Sequence, residues 1–174
     1  ANNAVRVNGQ DLRCKIIGEG GNLGFTQKGR IEYARNGGRI NTDAIDNSAG
    51  VDCSDHEVNI KIAFSSSIAS KKLTLEKRDA LLASMTDEVA ELVLKDNILQ
   101  TQALSIEQAR GVKLIDSQIR LIHQLEKLGL LDRAIEFLPN DKQLAELKTA
   151  GKGLTRPELA VLLSYSKMAR YNSL

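Results

Sequence analysis

Residues 13–26 read Arg13-Cys14-Lys15-Ile16-Ile17-Gly18-Glu19-Gly20-Gly21-Asn22-Leu23-Gly24-Phe25-Thr26, and the reading of this stretch decides the fold of the N-terminal part. Its first five residues alternate as a strand entering a sheet does, and a small, polar turn follows. The pattern then repeats. Arg39-Ile40-Asn41-Thr42-Asp43-Ala44-Ile45 reads as a second strand, and Asp46-Asn47-Ser48-Ala49-Gly50-Val51-Asp52-Cys53-Ser54-Asp55-His56-Glu57 as a second polar turn. Between them the sequence predicts a helix through Arg30-Ile31-Glu32-Tyr33-Ala34-Arg35, stopped by Gly37-Gly38. Strand, turn, helix, strand, turn is a partial Rossmann-like βαβ piece, and both turns would lie at strand C-terminal ends, where open α/β sheets bind nucleotides and small substrates. A further helix is expected after Ser54, through Val58, Ile60 and Ile62, ending near Ser65-Ser66-Ser67.

Away from these turns the construction changes. Nine of the 13 glycines precede residue 51, whereas 22 of the 24 leucines follow residue 70, so two regions are expected, residues 1–68 and 69–174. The second reads as helices only. Leu82, Met85, Val89 and Leu92 share one helical face, and a long helix is expected from Ile106 to Leu128 with a broad apolar stripe that includes Ile115, Ile119, Ile122 and Leu125. Gly129 sits where a C-terminal cap belongs, and Asn140 can cap a helix over Asp141–Lys148. Thr155 and Glu158 form a capping box with Pro157 in the first turn. The fold class that follows is mainly α with a small α/β part, the helices packing as an irregular bundle of four or five.

Composition bounds the chemistry. The 24 basic and 22 acidic residues are well mixed and leave a net charge of +2, so no field exists to concentrate a polyanion, and nucleic-acid binding is not expected. Aromatic residues are 3% of the chain, and the core must be packed from aliphatic side chains. No apolar run reaches membrane-spanning length, and two cysteines, Cys14 and Cys53, are too few and too distant in sequence for a metal knuckle, which points to the cytosol with both thiols reduced.

Several candidate motifs are incomplete. Gly18-Glu19-Gly20-Gly21-Asn22-Leu23 approaches the dinucleotide-binding G-x-G-x-x-G but has Leu23 in place of the third glycine, and its glycines could equally serve positive φ in a tight turn. Gly24 to Gly29 has the spacing of a P-loop, yet Arg30-Ile31 stands where Lys-Ser/Thr is required. Asp55-His56-Glu57 lacks H-E-x-x-H spacing and reads as a surface or N-terminal helical turn, and His123, beside Ile119 and Ile122, reads as a core-edge histidine. No metal site is expected.

Taken in order, Glu19-Gly20-Gly21-Asn22 and Asn47-Ser48-Ala49-Gly50-Val51, with Ser54 three residues on, resemble the E-G-A-N and N-A-G-G-V turns of glutamate dehydrogenases, and residues 15–62 resemble most closely the large bacterial NAD-specific type. Leu23-Gly24, Ser48-Ala49 and Asp55-His56 depart from the Gly-Pro, Ala-Gly and paired aromatics of the smaller enzymes. The resemblance implies NAD as cofactor and L-glutamate and 2-oxoglutarate as substrate and product. It places Gly20, Gly21, Asn22 and Asn47 at the cofactor, with the two asparagines near the nicotinamide and its ribose. Val51 and Ser54 would lie at the substrate, Ser54 holding its side-chain carboxylate from a helix start. Neutral amides suit a ring that alternates between cationic and neutral. The resemblance also implies that the family's catalytic lysine and aspartate lie upstream of Ala1, so the chain reads as a C-terminal fragment of a homo-oligomeric parent, inactive alone and contributing no catalytic residue. Two further readings stay open: a helical interaction or regulatory module, testable by whether Ile119→Glu abolishes a dimer, and a small stand-alone nucleotide-binding protein.

Overall fold

Eight helices follow one another along residues 3–171, which the computed structural model describes: α1 (Gln27–Arg35), α2 (Asp43–Asp46), α3 (Ser48–Ala69), α4 (Leu75–Ser84), α5 (Thr86–Arg110), α6 (Ile115–Lys127), α7 (Asp141–Thr149) and α8 (Arg156–Tyr171). Short 3-10 turns cover Asn3–Val5, Gly9–Asp11 and Gly111–Leu114.

The expected βαβ piece is not formed: among the described residues the β structure is one isolated parallel bridge, Ile16 with Arg39. Two hydrogen bonds make it, Ile17 N–H to Arg39 C=O (2.9 Å) and Arg39 N–H to Lys15 C=O (3.0 Å). Beyond it the second predicted strand turns helical, because the Thr42 carbonyl accepts from both Ile45 and Asp46 N–H at 3.1 Å and closes α2. A pairing this short has no third strand to extend it. The fold is all-helical.

Residues group into two compact units, Ala1–Asp46 with Thr101–Leu174, and Asn47–Gln100. In the first unit the core is aliphatic, as composition requires. Ile115, Ile122 and Leu125 of α6 meet Leu144 of α7 and Leu159 and Leu162 of α8, and Ile45 joins them from α2. The α6 stripe was legible from its spacing, although Leu128 at its end is exposed. Helix α1 is joined to α8 where Gln27 Nε2 donates to the Pro157 carbonyl (3.2 Å) and Arg35 reaches Glu158 (3.3 Å).

The single helix expected from Ile106 to Leu128 is broken. Helix α5 ends at Arg110, Gly111 takes a left-handed φ of 52°, and α6 starts only at Ile115. A Cβ on Gly153 would lie 2.8 Å from the Gly111 backbone, so the loop before α8 crosses the corner at a distance that admits no side chain. Caps elsewhere agree with the sequence. Asn140 accepts from Gln143 N–H (2.9 Å) in a full capping box, Glu158 accepts from Thr155 N–H (2.6 Å), and Gly129 has φ 67° beyond α6.

In the second unit α3 starts at Ser48, six residues earlier than Ser54, so most of the expected second turn is helix. Ser48 Oγ donates to Asn97 Oδ1 (2.7 Å) and accepts from Gln100 Nε2 (3.0 Å), which ties α3 to α5. The stripe through Leu82 and Met85 is interrupted, since α4 ends at Ser84 and α5 begins at Thr86. Neither α3 nor α4 has a fully buried residue.

Candidate functional site

The turn at residues 19–25 is built around a buried carboxylate. Glu19 is 4% exposed, and its Oε2 and Oε1 accept from Nε (2.6 Å) and Nη2 (2.9 Å) of Arg30 on α1. The same Oε1 accepts from Phe25 N–H (3.1 Å), so one side chain closes the loop on itself and anchors it to a helix. From the other side α2 holds the backbone: Asp46 Oδ2 accepts from Glu19 N–H (2.8 Å) and Asp43 Oδ2 from Leu23 N–H (2.9 Å). Asp43 also pairs with Arg30 at 3.2 Å.

The surroundings favour the charged forms of Asp43 and Arg30. Burial pushes the Asp43 carboxyl up, but hydrogen bonds from Leu23 and Ala44 N–H and the Arg30 charge outweigh it and hold Asp43 below the usual carboxylate range. Burial acts to lower Arg30, yet Glu19 and Asp43 leave it raised.

Gly20, Gly21 and Asn22 form the exposed tip of this loop. Positive φ falls not on these glycines but on Leu23, at 60°. A Cβ added at Gly20 or Gly21 would meet nothing within 4 Å. Neither positive φ nor crowding within the chain calls for glycine at these two positions.

Asn47, Val51 and Ser54 belong to the second unit, where helical spacing of four and three places them on one face of α3. Asn47 is the N-terminal cap residue and Val51 is 66% exposed. Ser54 lies in the second turn rather than at the helix start, and its hydroxyl donates to the Gly50 carbonyl (3.1 Å). His56 stands between two carboxylates, 3.8 Å from Asp52 and 3.7 Å from Asp96, so its partners come from one turn back and from α5 rather than from the adjacent Asp55 and Glu57. His123 is exposed and contacts Asp141 (3.0 Å) instead of edging the core.

The two sequence motifs thus become an anchored glycine-flanked loop and one face of a helix N-terminus, each presenting an asparagine. A family model described as the bacterial NAD-glutamate dehydrogenase catalytic domain matches residues 1–107. The chain belongs to this family. Among its relatives, an NAD-specific glutamate dehydrogenase of Pseudomonas aeruginosa is 55% identical over 100% of the chain, and those of Halomonas elongata and Mycobacterium tuberculosis are 52% and 49% identical over 96% and 97% of it. The chain spans 10–11% of the length of these relatives. Similarity to the family therefore extends through the helical tail, where the sequence offered no motif.

Sequence reasoning missed Arg30, Asp43 and Asp46, and read Glu19 only as part of a turn. The signal available was weak: an acid just before two glycines, with an arginine 11 residues on and two more acids on the next turn.

Proposed function

We propose that this chain supplies nicotinamide-side and substrate-side surfaces to an NAD-dependent glutamate dehydrogenase, which converts L-glutamate, NAD and water to 2-oxoglutarate, ammonia and NADH. NAD, when bound, accepts the hydride. Asn22 and Asn47 orient the nicotinamide and its ribose through neutral amide hydrogen bonds, Gly20 and Gly21 let the backbone come close, and Val51 and Ser54 face the substrate. All six position ligands and none transfers a proton.

The observation that carries this reading is the open loop tip at Gly20-Gly21-Asn22, held by Glu19 and Arg30 inside the stretch that matches the family. Steady-state kinetics on the full-length enzyme test it. Asn22→Ala and Asn47→Ala are expected to raise KM for NAD about tenfold each, the worth of one hydrogen bond made or lost in a closed site, and Ser54→Ala to raise KM for glutamate. Unchanged constants in all three variants would remove the proposal. The 174-residue chain alone is expected to give no glutamate-dependent NAD reduction, because the proton-transferring groups of the reaction come from elsewhere in the parent.

The parent is read as a cytoplasmic homo-oligomer. Cys14 and Cys53 are both free and exposed, as suits a reducing compartment. No helix among the described residues is long and apolar enough to cross a membrane. A second reading, an interaction module, draws on the second unit, where Val51, Ile62, Leu94 and Ile98 are each more than 60% exposed.

A further inference from the structure

Among the described residues of the first unit, the ion pairs leave one enclosed arginine without an acid. Arg30 is matched by Glu19 and Asp43, Arg35 by Glu158, and Arg133 by Glu126 and Asp141. Arg156, at the start of α8, has only neutral acceptors: Asn41 Oδ1, the Thr101 carbonyl (3.1 Å), Ser105 Oγ (3.0 Å) and Gln108 Oε1 (3.4 Å). Asp46 acts on it through space alone, and both Asp46 oxygens are already engaged, by Asn41 Nδ2 (2.6 Å) and Glu19 N–H (2.8 Å). Burial lowers the Arg156 pKa, the mark of a cation whose surroundings do not fully replace water.

Arg156 lines a cleft of about 520 Å³. Arg39 lines the same cleft, exposed and in no ion pair among the described residues. The remaining wall is partly apolar, made by Ile16, Ile17, Ala34 and Ile40. A guanidinium carries five N–H donors. The four acceptors found for Arg156 leave one Nη2 N–H over, and the Gln108 contact is long enough to be displaced.

We propose that this cleft binds the carboxylate of a small aliphatic acid, with the anion between Arg156 and Arg39 and the alkyl chain against Ile16, Ile17 and Ala34. A single negative charge fits better than a phosphate dianion, because Asp46 already offsets part of the field. The proposal does not rest on the dehydrogenase reading, which concerns other residues.

Isothermal titration of the chain with sodium pentanoate at constant ionic strength and neutral pH tests it. One saturable site is expected, with Kd on the order of millimolar for so small a ligand. Arg39→Gln and Arg156→Gln should each weaken binding about tenfold, the loss of one charge-assisted hydrogen bond, and Arg35→Gln should leave it unchanged. Arg156 also holds four structural contacts, so its variant is first checked by far-ultraviolet circular dichroism. Arg39 carries no side-chain hydrogen bond among the described residues, so loss of binding in Arg39→Gln at full helicity is decisive support. Absence of saturable heat, or equal affinity in Arg39→Gln, overturns the site. Tighter binding of inorganic phosphate than of pentanoate, sensitive to the same two arginines, overturns the carboxylate assignment.

Discussion

Glu19→Ala would leave the Arg30 guanidinium, 6% exposed, without its main counter-charge, and we expect a loss of about 3–5 kcal/mol. Glu19→Gln keeps one acceptor oxygen for the Phe25 N–H and one Arg30 N–H and should lose less; urea denaturation followed by circular dichroism orders the two variants. Gln118 carries the opposite fault. Its Nε2 donates to Glu107 (2.9 Å), but its Oε1 is buried without a partner in an otherwise apolar face of α6. Gln118→Met, close in volume, should raise stability by about 1 kcal/mol, the desolvation cost of one unpaired oxygen; a lower urea midpoint would contradict this. At this scale the sequence named Glu19 and Asn22 but not why Glu19 is there, because its partner is a residue whose proximity only the fold creates. Ile119, chosen from the sequence as a probe of self-association, packs against the core, so Ile119→Glu would report on folding instead.

Among the elements, what is encoded locally was readable and what depends on a distant partner was not. The Asn140 cap of α7, the Thr155–Glu158 box of α8 and the α6 stripe all follow from residues within two turns. The two strands expected from local alternation do not form, since strand pairing needs a non-local partner and only the Ile16–Arg39 bridge is made, and the Gly111 break depends on Gly153 crossing it. Asn140→Ala should cost about 1 kcal/mol, measured as a shift in the urea midpoint. The α6–α7 corner adds a pH dependence. Arg133 donates to Glu126 Oε1 and Asp141 Oδ1, both at 2.7 Å, and holds both carboxyls below their ordinary values of 4.5 and 3.8, with His123 assisting at Asp141. Folded values below unfolded ones mean that this stabilisation is complete above the unfolded values and is lost as pH falls through the folded ones. Thermal midpoints should hold steady down to about pH 5 and then decline, and Arg133→Gln should decline less steeply.

For the whole molecule, the aliphatic core expected from 3% aromatic residues is present, whereas the mixed α/β architecture is not. The sequence could place two asparagine-bearing motifs in order, and that order sufficed to suggest the family. It could not show that the second motif is a helix face. The exposed aliphatic side chains of α3 to α5 set a test at this scale. If they meet a second copy, sedimentation should give a dimer that dissociates in Ile62→Glu with Leu94→Glu; a monomer at all concentrations would leave the interaction reading without support. A last consequence concerns the crossing of Gly111 and Gly153. Substitution is strained at Gly111 by its left-handed dihedral and blocked at Gly153 by contact with backbone, so the two barriers are independent. Saturation mutagenesis selected for soluble expression should return glycine alone at 153 but glycine with some asparagine at 111, and alanine at 111 should not license any replacement at 153.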